Sequence, residues 1–112
     1  MYNMKKVIVI LFSIISIQLI GQSKKIIDTE IFVNGVCGMC EDRIELALDV
    51  KGIKVADWDV DSKMCRIVYK PEQIKEEEIH AILAGIGHDT KKAKAKKEVY
   101  ENLHHCCQYK RE

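Results

Sequence analysis

Alternation of apolar and polar residues opens the folded part of the chain. Between residues 25 and 34, Ile27, Thr29, Ile31 and Val33 fall on one side and Asp28 and Glu30 on the other. That is the period-two pattern of a half-buried strand. Gly35 breaks it, and from Cys40 the period becomes helical. Cys40, Ile44, Ala47 and Leu48 share a stripe, with Glu41, Asp42, Arg43 and Glu45 mostly outside it. Glu41 and Asp42 suit a first turn, where the helix dipole favours negative charge. Lys51-Gly52 is expected to end this helix. A second strand is expected over 54–60, with Ala56, Trp58 and Val60 on one face. Asp61-Ser62-Lys63 reads as a hairpin turn, and a third strand over 64–69 points Cys65, Ile67 and Tyr69 inward. After Pro71, the spacing of Ile79, Ile82, Leu83 and Ile86 predicts a helix over 74–84, closed by Gly85 and Gly87. A short, weakly patterned strand is expected over 88–93.

This β-α-β-β-α-β order is the split βαβ arrangement. The fold class expected is therefore α+β, a ferredoxin-like βαββαβ sandwich with a short C-terminal extension. In that extension Val99, Tyr100 and Leu103 suit one or two further helical turns. The other end of the chain reads differently. Lys5 and Lys6 precede an almost unbroken apolar run over 7–20, then small Gly21 and the polar stretch Gln22-Ser23-Lys24-Lys25. That is the pattern of a secretory signal peptide. The run is short of the ~20 apolar residues of a spanning helix, and no cysteine near the cleavage point suggests a lipid anchor. An exported protein is expected, the periplasm being the compartment favoured.

Net charge is +1 over 112 residues, so no global field for nucleic acid or membrane is implied. The lysines of 91–97 and the acids Glu76, Glu77 and Glu78 read as solvated faces. Cysteine usage changes the picture more. There are five, Cys37, Cys40, Cys65, Cys106 and Cys107, an odd number that cannot pair completely within one chain. Adjacent Cys106 and Cys107 would bond each other only with strain. Cys65, on the inward face of a strand, reads as a small buried hydrophobe.

Cys37 and Cys40 stand three apart at a helix entry, in Gly35-Val36-Cys37-Gly38-Met39-Cys40. Unsatisfied N–H groups and the dipole there favour thiolate over thiol, and the thiolate is the metal ligand. Gly38 lets the backbone turn between them. Two thiolates fall short of the closed tetrahedral set of structural zinc. They suit soft ions, copper(I) first, with mercury(II), cadmium or zinc as further candidates.

The element order, the C-x-x-C at the first strand–helix junction, the Cys40-to-Leu48 stripe and the Gly87-His88-Asp89 turn resemble the heavy-metal-associated domain family. Copper chaperones, modules of copper-pumping ATPases and periplasmic mercury-binding proteins belong to it. The resemblance covers about residues 26–93. With the N-terminal pattern above, the chain is expected to divide into a signal peptide (1–21), the domain (25–94) and a His/Cys-containing tail (95–112). The resemblance implies metal carriage by Cys37 and Cys40 and ligand exchange with a metal-transporting membrane protein or another C-x-x-C domain. The expected state is a monomer or a weak metal-bridged dimer, with no nucleic-acid partner and no enzymatic activity. The family usually reads Gly-Met-x-Cys-x-x-Cys. Here only Val36 separates Gly35 from Cys37, and the methionine that plugs the core is missing. Val36, or Met39 folded inward, is expected to replace it.

Two readings of His88 stand side by side: a third ligand or supporting hydrogen bond, and a solvent-exposed turn residue. His104, His105, Cys106 and Cys107 likewise read either as extra ligands that cap the metal or as a flexible end. Competing functions are a thioredoxin-like dithiol/disulfide oxidoreductase and a structural zinc protein. Against the former, no aromatic precedes Cys37, and Pro71 precedes a helix rather than a strand. No Ser/His/Asp set, phosphate loop or carboxylate pair supports hydrolysis or phosphoryl transfer.

Overall fold

Three strands form where alternation predicts them: β1 (Ile27–Phe32), β2 (Ile53–Trp58) and β3 (Met64–Tyr69). The computed structural model describes residues 25–112. The expected signal peptide at 1–21 lies outside the described residues. No helix among the described residues is long and apolar enough to cross a membrane. β3 is central and antiparallel to both neighbours, giving the order β1-β3-β2. Its inward residues Cys65, Ile67 and Tyr69 are buried, as is Ile31 of β1. The β2–β3 hairpin turns at Asp59–Lys63. There the Asp59 carboxylate accepts the Ser62 N–H at 2.8 Å, and Lys63 adopts a left-handed φ of 61°.

Two helices cover one face of the sheet. α1 (Gly38–Ala47) buries Cys40 and Ile44, with Leu48 following at its end. It stops several residues before Gly52, so Lys51-Gly52 is a turn into β2 rather than the helix end. α2 (Glu76–Gly85) buries Ile79 and Leu83, with Glu76, Glu77 and Glu78 in its first turn. The architecture is that of the ferredoxin-like sandwich with one correction. The strand expected over 88–93 is reduced to a single antiparallel bridge between Thr90 and Val33, at the outer edge of β1. The Thr90 hydroxyl accepts the N–H groups of Lys92 and Ala93 at 3.2 and 3.0 Å, and Thr90 N–H turns to the Ala93 carbonyl. Local bonding by a threonine side chain thus competes with the ladder and ends it after one pair.

The chain then continues through α3 (Lys97–Glu101) to a 3-10 turn at His105–Cys107. This segment is packed, not a flexible end. Leu103, Cys107 and Tyr109 are buried in the same core as Ile44 and Leu83. Leu103 lies so close over Gly87, itself at φ +105°, that a Cβ there would meet its side chain at 2.9 Å.

Candidate metal centre

Cys37 is the N-cap of α1, and no side chain caps the helix. The Cys40 and Glu41 N–H groups donate to the Cys37 carbonyl at 3.0 and 3.3 Å, and the Cys40 N–H also favours the charged form of the Cys37 sulfur. The Cys37 and Cys40 sulfurs lie 3.5 Å apart. The loop that carries them is fixed from beneath. Gly35 is buried, and a Cβ on it would lie 3.0 Å from the Trp58 ring and 3.2 Å from Cys40 Cβ. The Trp58 indole N–H donates to the Val33 carbonyl at 2.9 Å. Trp58, 1% exposed, thus fills the space expected for Val36 or Met39, which are 43% and 45% exposed. The reason is size: an indole reaching from β2 supports the loop, and the absence of a side chain at Gly35 admits it.

The third feature of the site comes from the far end of the chain. Cys107 Sγ lies 3.4 Å from Cys37 Sγ, and the three sulfurs of Cys37, Cys40 and Cys107 all lie within 4.8 Å of one another. Cys107 and Cys40 are fully buried and Cys37 partly so. Cys106, next in the chain, is exposed. Its sulfur is 4.0 Å from Cys107 Sγ and 3.4 Å from the Met39 sulfur. His104 and His105 are exposed and do not join the thiols.

Burial pushes the Cys37 thiol up. The Cys40 N–H and hydrogen bonds from the Cys106, Cys107 and Cys40 sulfurs outweigh it and bring Cys37 down to about 7. Cys40 is pushed up to about 12, by burial first and then by Cys107. Burial also raises Cys107, against hydrogen bonds from Cys40 and the Arg43 guanidinium. Of the three, Cys37 is thus the thiol that loses its proton most readily. Cys65 sits apart on β3, fully buried in the core, and burial pushes its thiol up to about 12.

His88 follows neither expectation in full. It is buried, not solvent-exposed, and lies outside the sulfur group. Its Nδ1 meets the Asn34 carbonyl at 2.8 Å, so this nitrogen carries the proton and braces the strand end that leads into the loop. Burial lowers its basicity and keeps the ring neutral. The ring stacks on Tyr109 at 5.8 Å. Tyr109, in turn, donates from its hydroxyl to the Gly87 carbonyl at 2.7 Å and accepts the Asp89 N–H at 2.9 Å. Sequence reading missed Trp58, Arg43, Tyr109 and the Asp89–Arg111 pair as parts of the site. The pairing of a glycine before the motif with a lone tryptophan was the one available clue.

The heavy-metal-associated domain model matches residues 30–89. The CopZ metallochaperone structure is 21% identical with a TM-score of 0.55, over 57% of this chain and 98% of that one. A solution structure of a Bacillus anthracis protein assigned to copper-ion binding is 18% identical with a TM-score of 0.58, over 62% of this chain and 100% of that one. The N-terminal soluble domains of Bacillus subtilis CopA are 20% identical with a TM-score of 0.55, over 61% of this chain and 48% of that one. At these identities the likeness is one of fold. No curated protein sequence matches the chain.

Proposed function

The chain belongs to the heavy-metal-associated domain family, and from that premise we propose that it binds copper(I) at Cys37 and Cys40 and passes it to another thiolate protein. The observation that carries this reading is the pair of sulfurs 3.5 Å apart at the N-terminus of α1, with the Cys37 thiol brought down to about 7. A thiolate attracts a soft monovalent ion without an oxygen or nitrogen donor set. Tetrahedral zinc needs a fourth donor, and among the described residues the group contains only three. Cys37 is partly exposed beside Val36 and Met39, which suits a docked partner with a similar pair, while Cys40 is buried behind it. The metal is cargo: a bond to an incoming thiolate forms as a bond to the chain's own thiolate breaks, with no change of oxidation state. Structures of like fold that are named a metallochaperone and a copper-ion-binding protein agree with this reading. The apolar run at 7–20 supports work outside the cytoplasm, where the pair carries metal only while kept reduced.

The test is anaerobic competition of copper(I), zinc and mercury(II) for the reduced protein and for the Cys37→Ser/Cys40→Ser double variant. Copper(I) is expected to bind the wild type most tightly relative to zinc. The double variant should lose more than the 10–100-fold typical of removing a supporting contact. Equal copper(I) affinity in the two proteins would refute the assignment.

A further inference from the structure

We propose that Cys107 is a third thiolate ligand, so that the metal is held three-coordinate by Cys37, Cys40 and Cys107, with residues 95–112 as a strap that closes the site. This deepens the reading above and rests on the chain's carrying a soft metal.

The sulfur triangle has the size of a single metal site. Sulfurs bound on opposite sides of one ion stand ~4.6 Å apart, twice a metal–thiolate bond of ~2.3 Å, and those of a flat three-coordinate ion stand ~4.0 Å apart. Cys37 and Cys40 at 3.5 Å are too close for the linear arrangement. With Cys107 at 3.4 Å from Cys37 and every pair within 4.8 Å, a point equidistant from the three sulfurs lies roughly 2.0–2.4 Å from each. One metal ion fits there with small outward shifts of the side chains.

The chain holds Cys107, and not its neighbour, in that place. Cys107 is 0% exposed and Cys106 is exposed. The strap is tied on both sides of the cysteine. Before it, Leu103 covers Gly87. After it, Tyr109 spans Gly87 and Asp89, the Asn34 side chain donates to the Lys110 carbonyl at 3.2 Å, and Arg111 makes two 2.8 Å hydrogen bonds to the Asp89 carboxylate. Tyr100 donates its hydroxyl to the Tyr109 carbonyl and packs edge-on against its ring at 5.0 Å. Asn34 and Asp89 flank the site at the loop and at the bridge to β1. The strap is therefore anchored to the very elements that set the loop.

Charge at the site favours the same arrangement. Arg43, on α1, lies against the Cys107 sulfur. It has no carboxylate partner among the described residues, and its Nη1 is buried with no hydrogen-bond acceptor. A buried guanidinium N–H without an acceptor is costly. Three thiolates around a monovalent or divalent ion form a net anion, and such a centre offers Arg43 the negative charge it lacks. In transfer, an incoming thiol would bond the metal as the Cys107–metal bond breaks, and its proton would pass to Cys107. Exposed Cys106 and Met39, with sulfurs 3.4 Å apart, mark the open side from which it approaches.

The test is X-ray absorption at the copper edge on full-length monomer loaded anaerobically with one equivalent of copper(I). Wild type and Cys106→Ser should each show three sulfurs, and Cys107→Ser two. Cys107→Ser should also give up copper(I) to a competing chelator at least tenfold more readily. Two sulfurs in the wild type, or three retained in Cys107→Ser, overturn the third ligand and leave the pair's function standing. A wild type that takes up no copper(I) overturns both.

Discussion

Cys37 and Cys40 reach the centre from a loop whose geometry is set by its own neighbours: a buried glycine, the first turn of α1 and a tryptophan beneath. Cys107 reaches the same point from 70 positions away, placed by a strap with little regular structure of its own. The loop sulfurs are fixed by backbone they cannot leave without unwinding a helix. The strap sulfur is fixed by an aromatic ring, an ion pair and a few backbone contacts. Each of these can be removed singly while the loop stays intact. The centre is thus built from a permanent part and a detachable part, and substitutions should separate the two.

The largest separation is expected from Tyr109→Ala. The side chain is 1% exposed, holds two hydrogen bonds and lies between the rings of His88 and Tyr100. Removing a buried aromatic costs about 3–5 kcal/mol. Urea unfolding should report a loss of that size, and a thiol reagent should then modify Cys107 as fast as Cys106. If Cys107 stays protected, the strap is held by something other than this ring and the comparison breaks.

A smaller effect should follow from Asp89→Asn. The carboxylate is buried and bound by Arg111, whose side chain is 25% exposed. Leaving one partner of a fully buried pair costs 3–5 kcal/mol, and partial exposure lowers this to about 2–3 kcal/mol. Acid should act on the same contact. Burial pushes the Asp89 carboxyl up, but Arg111 and the Ala95 N–H outweigh it and hold it below the ordinary carboxylate range. A depressed carboxylate contributes fully above its unfolded pKa of ~3.9 and loses that contribution as pH falls through the lower folded value. The protection factor of the Tyr109 amide, its exchange relative to the free-chain rate at the same pH, should therefore fall below pH ~4 in the wild type. In Asp89→Asn it should be low at every pH, and a wild-type profile there would show that the ion pair does not hold the strap.

The same division decides what could be read from sequence. The loop was legible because its chemistry is local: spacing, helix entry and an alternating strand all lie within twenty residues. The three strands and two helices were legible for the same reason. The fourth strand was not, because a threonine hydroxyl redirected its N–H groups, and periodicity carries no record of that competition. His88 was placed near the centre, but its burial depends on Tyr109, and that is a contact of the folded chain. Cys107 was among the candidates, yet nothing in His104-His105-Cys106-Cys107 distinguishes the inward residue from the outward ones. Only the 3-10 turn does so, through the contacts on either side of it.

The smallest expected difference is also the most direct count of ligands. At pH 8 Cys37, brought down to about 7, is mostly thiolate already. Cys40, pushed up to about 12, and Cys107, raised by burial, are thiols. Each thiol that becomes a ligand must lose its proton, so metal binding releases protons and strengthens as pH rises. Binding by the pair alone would release about one proton at pH 8, and binding by three thiolates about two. Copper(I) affinity of the wild type should then rise about 100-fold per pH unit near pH 8, and that of Cys107→Ser about tenfold, a difference of ~1.4 kcal/mol per unit. Below pH 7 Cys37 adds a further proton to both proteins, so both slopes steepen and their difference stays the same. A chelator competition run at several pH values measures the two slopes. Equal slopes would mean that Cys107 keeps its proton, and that the strap lies over the metal without binding it.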